Sequence, residues 1–283
     1  MSRFSTSVDL SQLPAPDAVE ELTPDQVREE IIADFLERYP EYSALVESDL
    51  VQKFSETVGF REMLLRARVN ASVRAVLLAL SSGSDLDQVG AFFGVARLEN
   101  EKDARYKRRI QLAPEAYGSA GAAGAYEFHA LTAAPTIRDA SAVKVGPGSV
   151  LVTVMGGDAV TPSDVELALV SDQLFREDIK PLTDRLRVAG PSIHRTTVRA
   201  DLVLYAGPDG SVVRKQAEAA VTSFLTKNHF LGSDLARSAL FGRLHLEGVH
   251  SVDLITPAED ILLNRTQAYE IEAIDVRVIG RGE

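Results

Sequence analysis

SDLDQVGAFFGVARL (residues 84–98), DARYKRRIQLAPEAY (103–117) and GSAGAAGAYEFHAL (118–131) mark the point where the chain changes character. Before them the pattern is helical and arginine-rich; after them it is dominated by strands. The first piece predicts a short helix. Gly83 suits the C-terminal cap of a preceding helix, and Ser84 with Asp87 three residues on makes an acidic form of the capping box. Leu86, Val89, Phe92 and Phe93 give that helix an apolar side. In the last piece, Gly121, Gly124 and Ala125 fall at helical spacing, which would clear one face for the close approach of another backbone. Nothing in the stretch resembles an active site.

Outward toward the N-terminus, residues 1–23 are polar, broken by Pro14 and Pro16, with Leu10 and Leu13 as a close apolar pair. Proline fixes φ and removes a donor, so this predicts an extended arm, either a disordered tail or a segment ordered by docking. Thr23 followed by Pro24 is a helix start. Val27, Ile31, Ile32, Phe35 and Leu36 line one side of that helix up to Pro40. A second helix is predicted over about residues 48–80, with Leu50, Phe54 and Val58 four apart and then Leu65, Val69, Val73, Val76 and Leu80. The stripe is coiled-coil-like, although a long helix inside a compact domain shows the same spacing. A length of about 45–50 Å exceeds what a small domain needs, which favours packing against a partner or sister subunit.

Outward toward the C-terminus, TIRDASAVKV and SVLVTVMG flank Gly146, Pro147 and Gly148 and predict two strands about a tight turn. Thr161 and Pro162 open a helix through Val165, Leu169, Val170 and Leu174 that Lys180 and Pro181 end, and residues 185–188 read as a third strand. A second unit repeats the order. Val198, Ala200, Leu202 and Leu204 alternate with polar residues, a period of two with one face buried. Gly207, Pro208, Asp209 and Gly210 turn into a helix with Val213, Ala217, Ala220, Val221 and Phe224 inward. Ser233 caps a shorter helix, and strands at 249–254 and 271–279 close the unit. The fold class is α+β: an N-terminal helical region with a long helix, then two small β-α-β sandwich domains. The divisions expected are 1–132 (helical, with the arm), 133–190 and 191–283.

The 283 residues carry a formal charge of -11, which speaks against a general nucleic-acid binder, since phosphate binding rests on Lys and Arg. Arg61, Arg66, Arg68 and Arg74, with Glu62 among them, and the tract Arg105, Tyr106, Lys107, Arg108, Arg109 therefore read as structural or subunit-facing. Without cysteine there is no disulfide framework or thiolate metal site, in keeping with a reducing cytoplasm. No run approaches the ~18 apolar residues of a membrane span, so a soluble chain is expected. His194, His229, His245 and His250 are scattered, and His129 and Glu127 lie two apart on a helix, pointing apart. Asp85 and Asp87 lack the remaining ligands of a calcium loop. Gly121 to Gly124 is a bare G-x-x-G. No catalytic, cofactor-binding or metal-ligating residues are assigned.

The order D-L-D-x-x-G-x-x-x-G-x-x-R, then Asp103 and Y-K-x-R-I, then S-x-G-x-x-G-A-Y-x-x-H resembles the baseplate J-like family, wedge proteins of contractile phage tails and related injection particles. The resemblance extends to residues 9–22 and 244–268, and Lys107 departs from it where an arginine is expected. It implies a non-enzymatic structural protein of a phage or tailocin baseplate, assembled in the bacterial cytoplasm. Its helical part would bundle with a smaller, protein I-like wedge protein, and its α/β domains would link wedges into a six-fold ring. The implied partners are a second copy of the chain, that smaller protein, neighbouring wedges, hub or spike and sheath-initiating proteins, with no nucleic acid and no membrane. The candidate interface residues are Leu10, Leu13, Leu50, Phe54, Val58, Leu65, Val69, Gly121 and Gly124. A ring that changes diameter on contraction needs joints, expected near residues 133–136 and at Gly190 and Pro191. The competing reading is a small-molecule-binding or catalytic α/β protein with its site between the two α/β units.

Overall fold

The computed structural model describes residues 8–42, 46, 49–118, 121–157, 159–207 and 209–282. Residues 1–7 of the expected arm, Ser48 at the expected helix start, Ser119 of the glycine-rich motif and Pro208 of the expected turn lie outside them. The chain divides into two compact units, Val8–Arg97 and Leu98–Glu283.

The first unit is helical. Helix α1 (Pro24–Arg38) starts as its sequence dictates, with the Thr23 hydroxyl accepting from the Gln26 N–H and Pro24 in the first turn. Helix α2 (Leu50–Val76) has 27 residues and is about 40 Å long. It stops four residues before Leu80, because Leu77 turns extended and its carbonyl accepts from Leu80 and Ser81 in a tight turn. Helix α3 (Gly83–Phe92) is capped at Ser82, so Gly83, at φ +53°, opens this helix and does not close the one before. The expected capping box at Ser84 and Asp87 does not form: Asp87 instead pairs with Arg97 at 2.6 Å. Of the expected apolar side, Leu86 is buried and Phe92 faces outward.

The second unit carries two three-stranded sheets. After α4 (Asp103–Leu112) and α5 (Ala123–Ala133), strands β1 (Ile137–Gly146) and β2 (Ser149–Gly156) form an antiparallel hairpin. Gly148 sits at φ +62° with the Thr183 carbonyl 3.1 Å from where a Cβ would lie, so the turn requires glycine. Helix α6 (Asp164–Leu174) opens on a capping box between Ser163 and Glu166 and carries the chain over to β3 (Arg185–Ala189), parallel to β2. It ends at Leu174, six residues before Lys180. Tyr126, Ala130 and Leu131 of α5 and Val170 and Leu174 of α6 pack on Ile137, Ala140, Ala142, Val152 and Val154. Residues 98–132, expected to belong with the helical region, thus share a core with the first sheet.

The second sheet has the order β5-β4-β6, built from β4 (Ser192–Leu204), β5 (Val249–Thr256) and β6 (Gln267–Arg281). The period-two face of β4 is buried as its pattern dictates: Val198, Ala200, Leu202 and Leu204 are fully covered. Helix α7 (Gly210–Lys227) lays Val213, Ala217, Val221 and Leu225 on that face. Helix α8 (Arg237–Leu244) adds Leu240 and Leu244 and is capped at Ala236, three residues after the expected Ser233. An N-terminal helical region followed by two mixed β-α layers is the α+β class that the sequence implies.

Candidate assembly interface

The helical unit is held together by features that leave one side of α2 bare. At Gly59 an added Cβ would lie 3.4 Å from the Arg28 Cα, so glycine lets the α1 backbone come close. The Asn70 side chain accepts from the Glu20 N–H at 3.1 Å and donates to the Glu20 carbonyl at 2.8 Å, tying the end of the arm to α2. Arg66 reaches Glu30 at 2.9 Å and Glu62 at 2.5 Å. Ser55, Gly59 and Asn70 are the buried positions of α2. Its larger apolar side chains turn the other way: Leu50, Phe54, Leu65, Val69 and Val76 are all at least 60% exposed.

A cavity of about 400 Å³ opens among Ile31, Phe35, Leu50, Val51, Phe54, Ser55 and Val58, where the chain enters α2. Full burial of a Leu, Val or Phe side chain contributes about 1.5–3 kcal/mol, and contiguous bare apolar surface of this kind marks interaction sites. Leu50, Phe54 and Val58 therefore come together around one cavity, while Leu65 and Val69 continue the side they define. In the arm, Leu10 is half-buried and Leu13 exposed.

The glycine pair behaves differently. Gly121 precedes α5 at φ +70°, and a Cβ there would stand 2.8 Å from Asp184 Oδ2. Gly124 lies in the first turn of α5, and its Cβ would meet the Glu115 side chain at 2.7 Å. The two do not share an open helix face: the close approach they permit is made within the chain. Near them the Tyr126 hydroxyl donates to Asp184 at 2.6 Å, and burial with that carboxylate raises the phenol above its ordinary pKa.

The arginine tract on α4 has a role that its spacing only hints at. Glu101, Arg105 and Arg109 recur every four residues and meet on one side of the helix. Glu101, buried, accepts from Arg105 and from Arg109, the latter at 2.6 Å. Arg105 also donates to the carbonyls of Leu131, Ala134 (2.7 Å) and Ile137 (2.8 Å). This clasps residues 131–137, so the joint expected at 133–136 is a fastened connection. Arg108 pairs with the buried Asp139 at 2.5 Å, and burial lowers its pKa to about 10, still charged at neutral pH. Glu127, two residues from His129 and pointing away from it, is buried and receives the Ala142 N–H and Arg265. Lys107 is half-buried and its pKa is lowered by desolvation.

His229 and His129 are engaged in packing. His229 stacks on Tyr269 at 4.9 Å with Nε2 2.7 Å from the Tyr269 carbonyl, and His129 packs edge-on against Phe128. Among the described residues no group of His, Asp and Glu could hold a metal ion, and no helix is long and apolar enough to cross a membrane. A cavity brings Val160 of the first α/β layer near Leu225, Tyr269, Ile271 and Ile274 of the second, and Thr222, Thr226, His229, Glu270 and Glu272 also line it, so apolar and polar side chains share it.

A bare apolar helix surface, beside an arginine tract on α4 that is taken up by internal pairing, is the arrangement of an assembly protein. Residues 47–102 match the Baseplate J-like N-terminal domain, and residues 118–190 match the Baseplate J-like central domain. Baseplate protein J of Escherichia phage P2 is 36% identical over 285 residues, covering 92% of this chain and 94% of that protein. The chain belongs to the baseplate J-like family, which gives it a structural baseplate role.

Proposed function

We propose that this chain is a wedge protein of a contractile tail or injection particle, joining wedges into a six-fold ring around the hub and coupling change in the baseplate to sheath contraction. The observation that carries the reading is the apolar side of α2, from Leu50 through Phe54 and Leu65 to Val76, left bare over most of a 27-residue helix. The occupants are a second copy of the chain and a smaller, protein I-like wedge component, with neighbouring wedges, hub or spike and sheath-initiating proteins meeting the α/β part. In a closed ring each subunit is held by several contacts at once, so modest individual affinities suffice. Assembly takes place in the bacterial cytoplasm and the product resides in the baseplate. Co-expression with the smaller wedge component, followed by size-exclusion chromatography, tests this. The two should co-elute, and Phe54→Glu with Leu65→Glu should separate them while leaving the chain folded; co-elution untouched by both changes would falsify the reading.

A further inference from the structure

The face of the first sheet turned away from α5 and α6 is covered, and what covers it is unusual in composition. Alternation along β1 and β2 puts Ala140, Ala142, Val152 and Val154 in the core with the helices. Asp139, Ser141, Thr153 and Met155 therefore point the other way, yet all four are buried. The segment after α7 and the start of β6 close over them, through Leu231 and Ala268. Among the described residues, Met155, Val160, Leu231 and Ala268 form the buried apolar contact there, with Ile193 at its margin.

The rest of the junction is polar and directional. Asp139, with no exposed surface, takes Arg108 at 2.5 Å on one carboxylate oxygen and the Leu231 N–H at 2.8 Å on the other. Arg138 donates to the carbonyls of His229 (2.9 Å) and Thr226 (2.5 Å). The Phe230 ring lies within 6 Å of both the Arg108 and Arg138 guanidinium groups. Glu127 reaches across to Arg265, 138 residues away in the chain. Ser141 Oγ and Thr153 Oγ1, paired across the strands, are buried with no partner among the described residues.

An apolar weld of this area would hold two layers together in any condition but would cost too much to expose. A buried ion pair adds little net stability against an apolar substitute, yet losing one partner strands a charge and is strongly destabilising. Such a joint is rigid while complete and opens once a single member is lost. We propose that the two sheet layers of Leu98–Glu283 are fastened into one rigid lever by a polar latch centred on Asp139, whose carboxylate is held by Arg108 within the first layer and takes the Leu231 N–H of the second, with Glu127–Arg265 as a second catch. While the latch is shut, Gly190 and Pro191 cannot act as a joint; opening it frees them.

The absence of cysteine from the chain makes the test direct. Ser141→Cys places a single thiol on the latch face, and Val152→Cys places one in the core on the opposite face of the same sheet. The rate of thiol labelling is measured for each in the full chain, with and without Asp139→Asn, a change that keeps size and removes charge. The expected result is at least tenfold faster labelling at position 141 with Asp139→Asn and an unchanged rate at position 152. An unchanged rate at 141 overturns the latch, because Met155 and Leu231 would then suffice to hold the layers. A parallel rise at both positions overturns it as well, since that is loosening of the whole unit. Should Asp139→Asn fail to fold, Glu127→Gln is read by the same two thiols against the same outcomes.

Discussion

The guanidinium of Arg105 on α4 donates to the carbonyl oxygen of Ala134, just past the end of α5, at 2.7 Å. With the Leu131 carbonyl it satisfies orphan acceptors that α5 leaves at its C-terminus, and through the Ile137 carbonyl it holds the first residue of β1 as well. The same group is held by Glu101, and burial lowers its pKa although that carboxylate acts upward. Arg105→Ala leaves Glu101 to Arg109 and the Leu98 N–H but takes the donor from the three carbonyls, and should destabilise by ~1–3 kcal/mol. Arg105→Lys keeps the charge but lacks the planar fork, and should recover only part of that loss. Urea unfolding of the three proteins checks the order.

Glycine at 121 is required twice over, by its left-handed backbone and by the space that Asp184 and Tyr126 occupy. Gly94 has a similar φ of +67° but open surroundings. Alanine at position 94 should therefore carry only the backbone penalty, about 1–2 kcal/mol. Alanine at position 121 should cost more and disturb the bond between Tyr126 and Asp184. Equal unfolding midpoints for the two variants would show that the side-chain crowding at 121 is relieved at no cost.

The pattern of local residues made much of this fold legible. Thr23 with Pro24 starts α1, alternation from Val198 to Leu204 buries one face of β4, and Gly146 to Gly148 turn the first hairpin, because each of these depends on neighbours in sequence. Helix ends were less legible: Pro181 is a stop signal, but α6 has already ended at Leu174, with the Phe175 N–H closing on Ser171. Helical spacing groups Gly121 with Gly124 and Ala125, but α5 begins only at Ala123, so Gly121 is a turn residue ahead of it. The arginine tract and Glu127 could be seen but not their partners: Asp139 reaches Arg108, and Arg265 reaches Glu127, only when the sheets fold against α4 and α5. Leu50, Phe54 and Leu65 were legible as one stripe, since a helix long enough to outrun its cover reveals itself by periodicity alone.

Charge placed on that stripe separates folding from assembly. Phe54 and Leu65 are each about two-thirds exposed, so Glu at either position removes little buried contact. Surface changes away from caps and ion pairs stay within about 0.5 kcal/mol. Leu202→Ala, by contrast, empties a fully buried site in the second sheet and should cost about 2–5 kcal/mol. Thermal melts should therefore leave the two Glu variants near wild type and move the Leu202 variant down. A Glu variant that melts like the Leu202 variant would show that the stripe is already covered in the free chain.

His229 gives the protein a pH dependence of definite sign. Burial lowers its pKa below the ordinary ~6.5; the bond to the Tyr269 carbonyl and Glu270 act upward, Arg138 downward, and burial prevails. His129 is lowered by burial too. Below pH ~6.5 the unfolded chain takes up protons at these rings that the folded chain resists, so stability falls as pH drops from 7 toward the lowered values. The carboxylates that salt bridges and caps hold low, such as Asp178 and Asp275, act in the acid range beneath that window and do not obscure it. His229→Gln should flatten the dependence of the urea midpoint between about pH 7 and 5.5. If the slope is the same with and without the imidazole, the ring accepts its proton in place, and the stacked contact with Tyr269 must give way without cost to the fold.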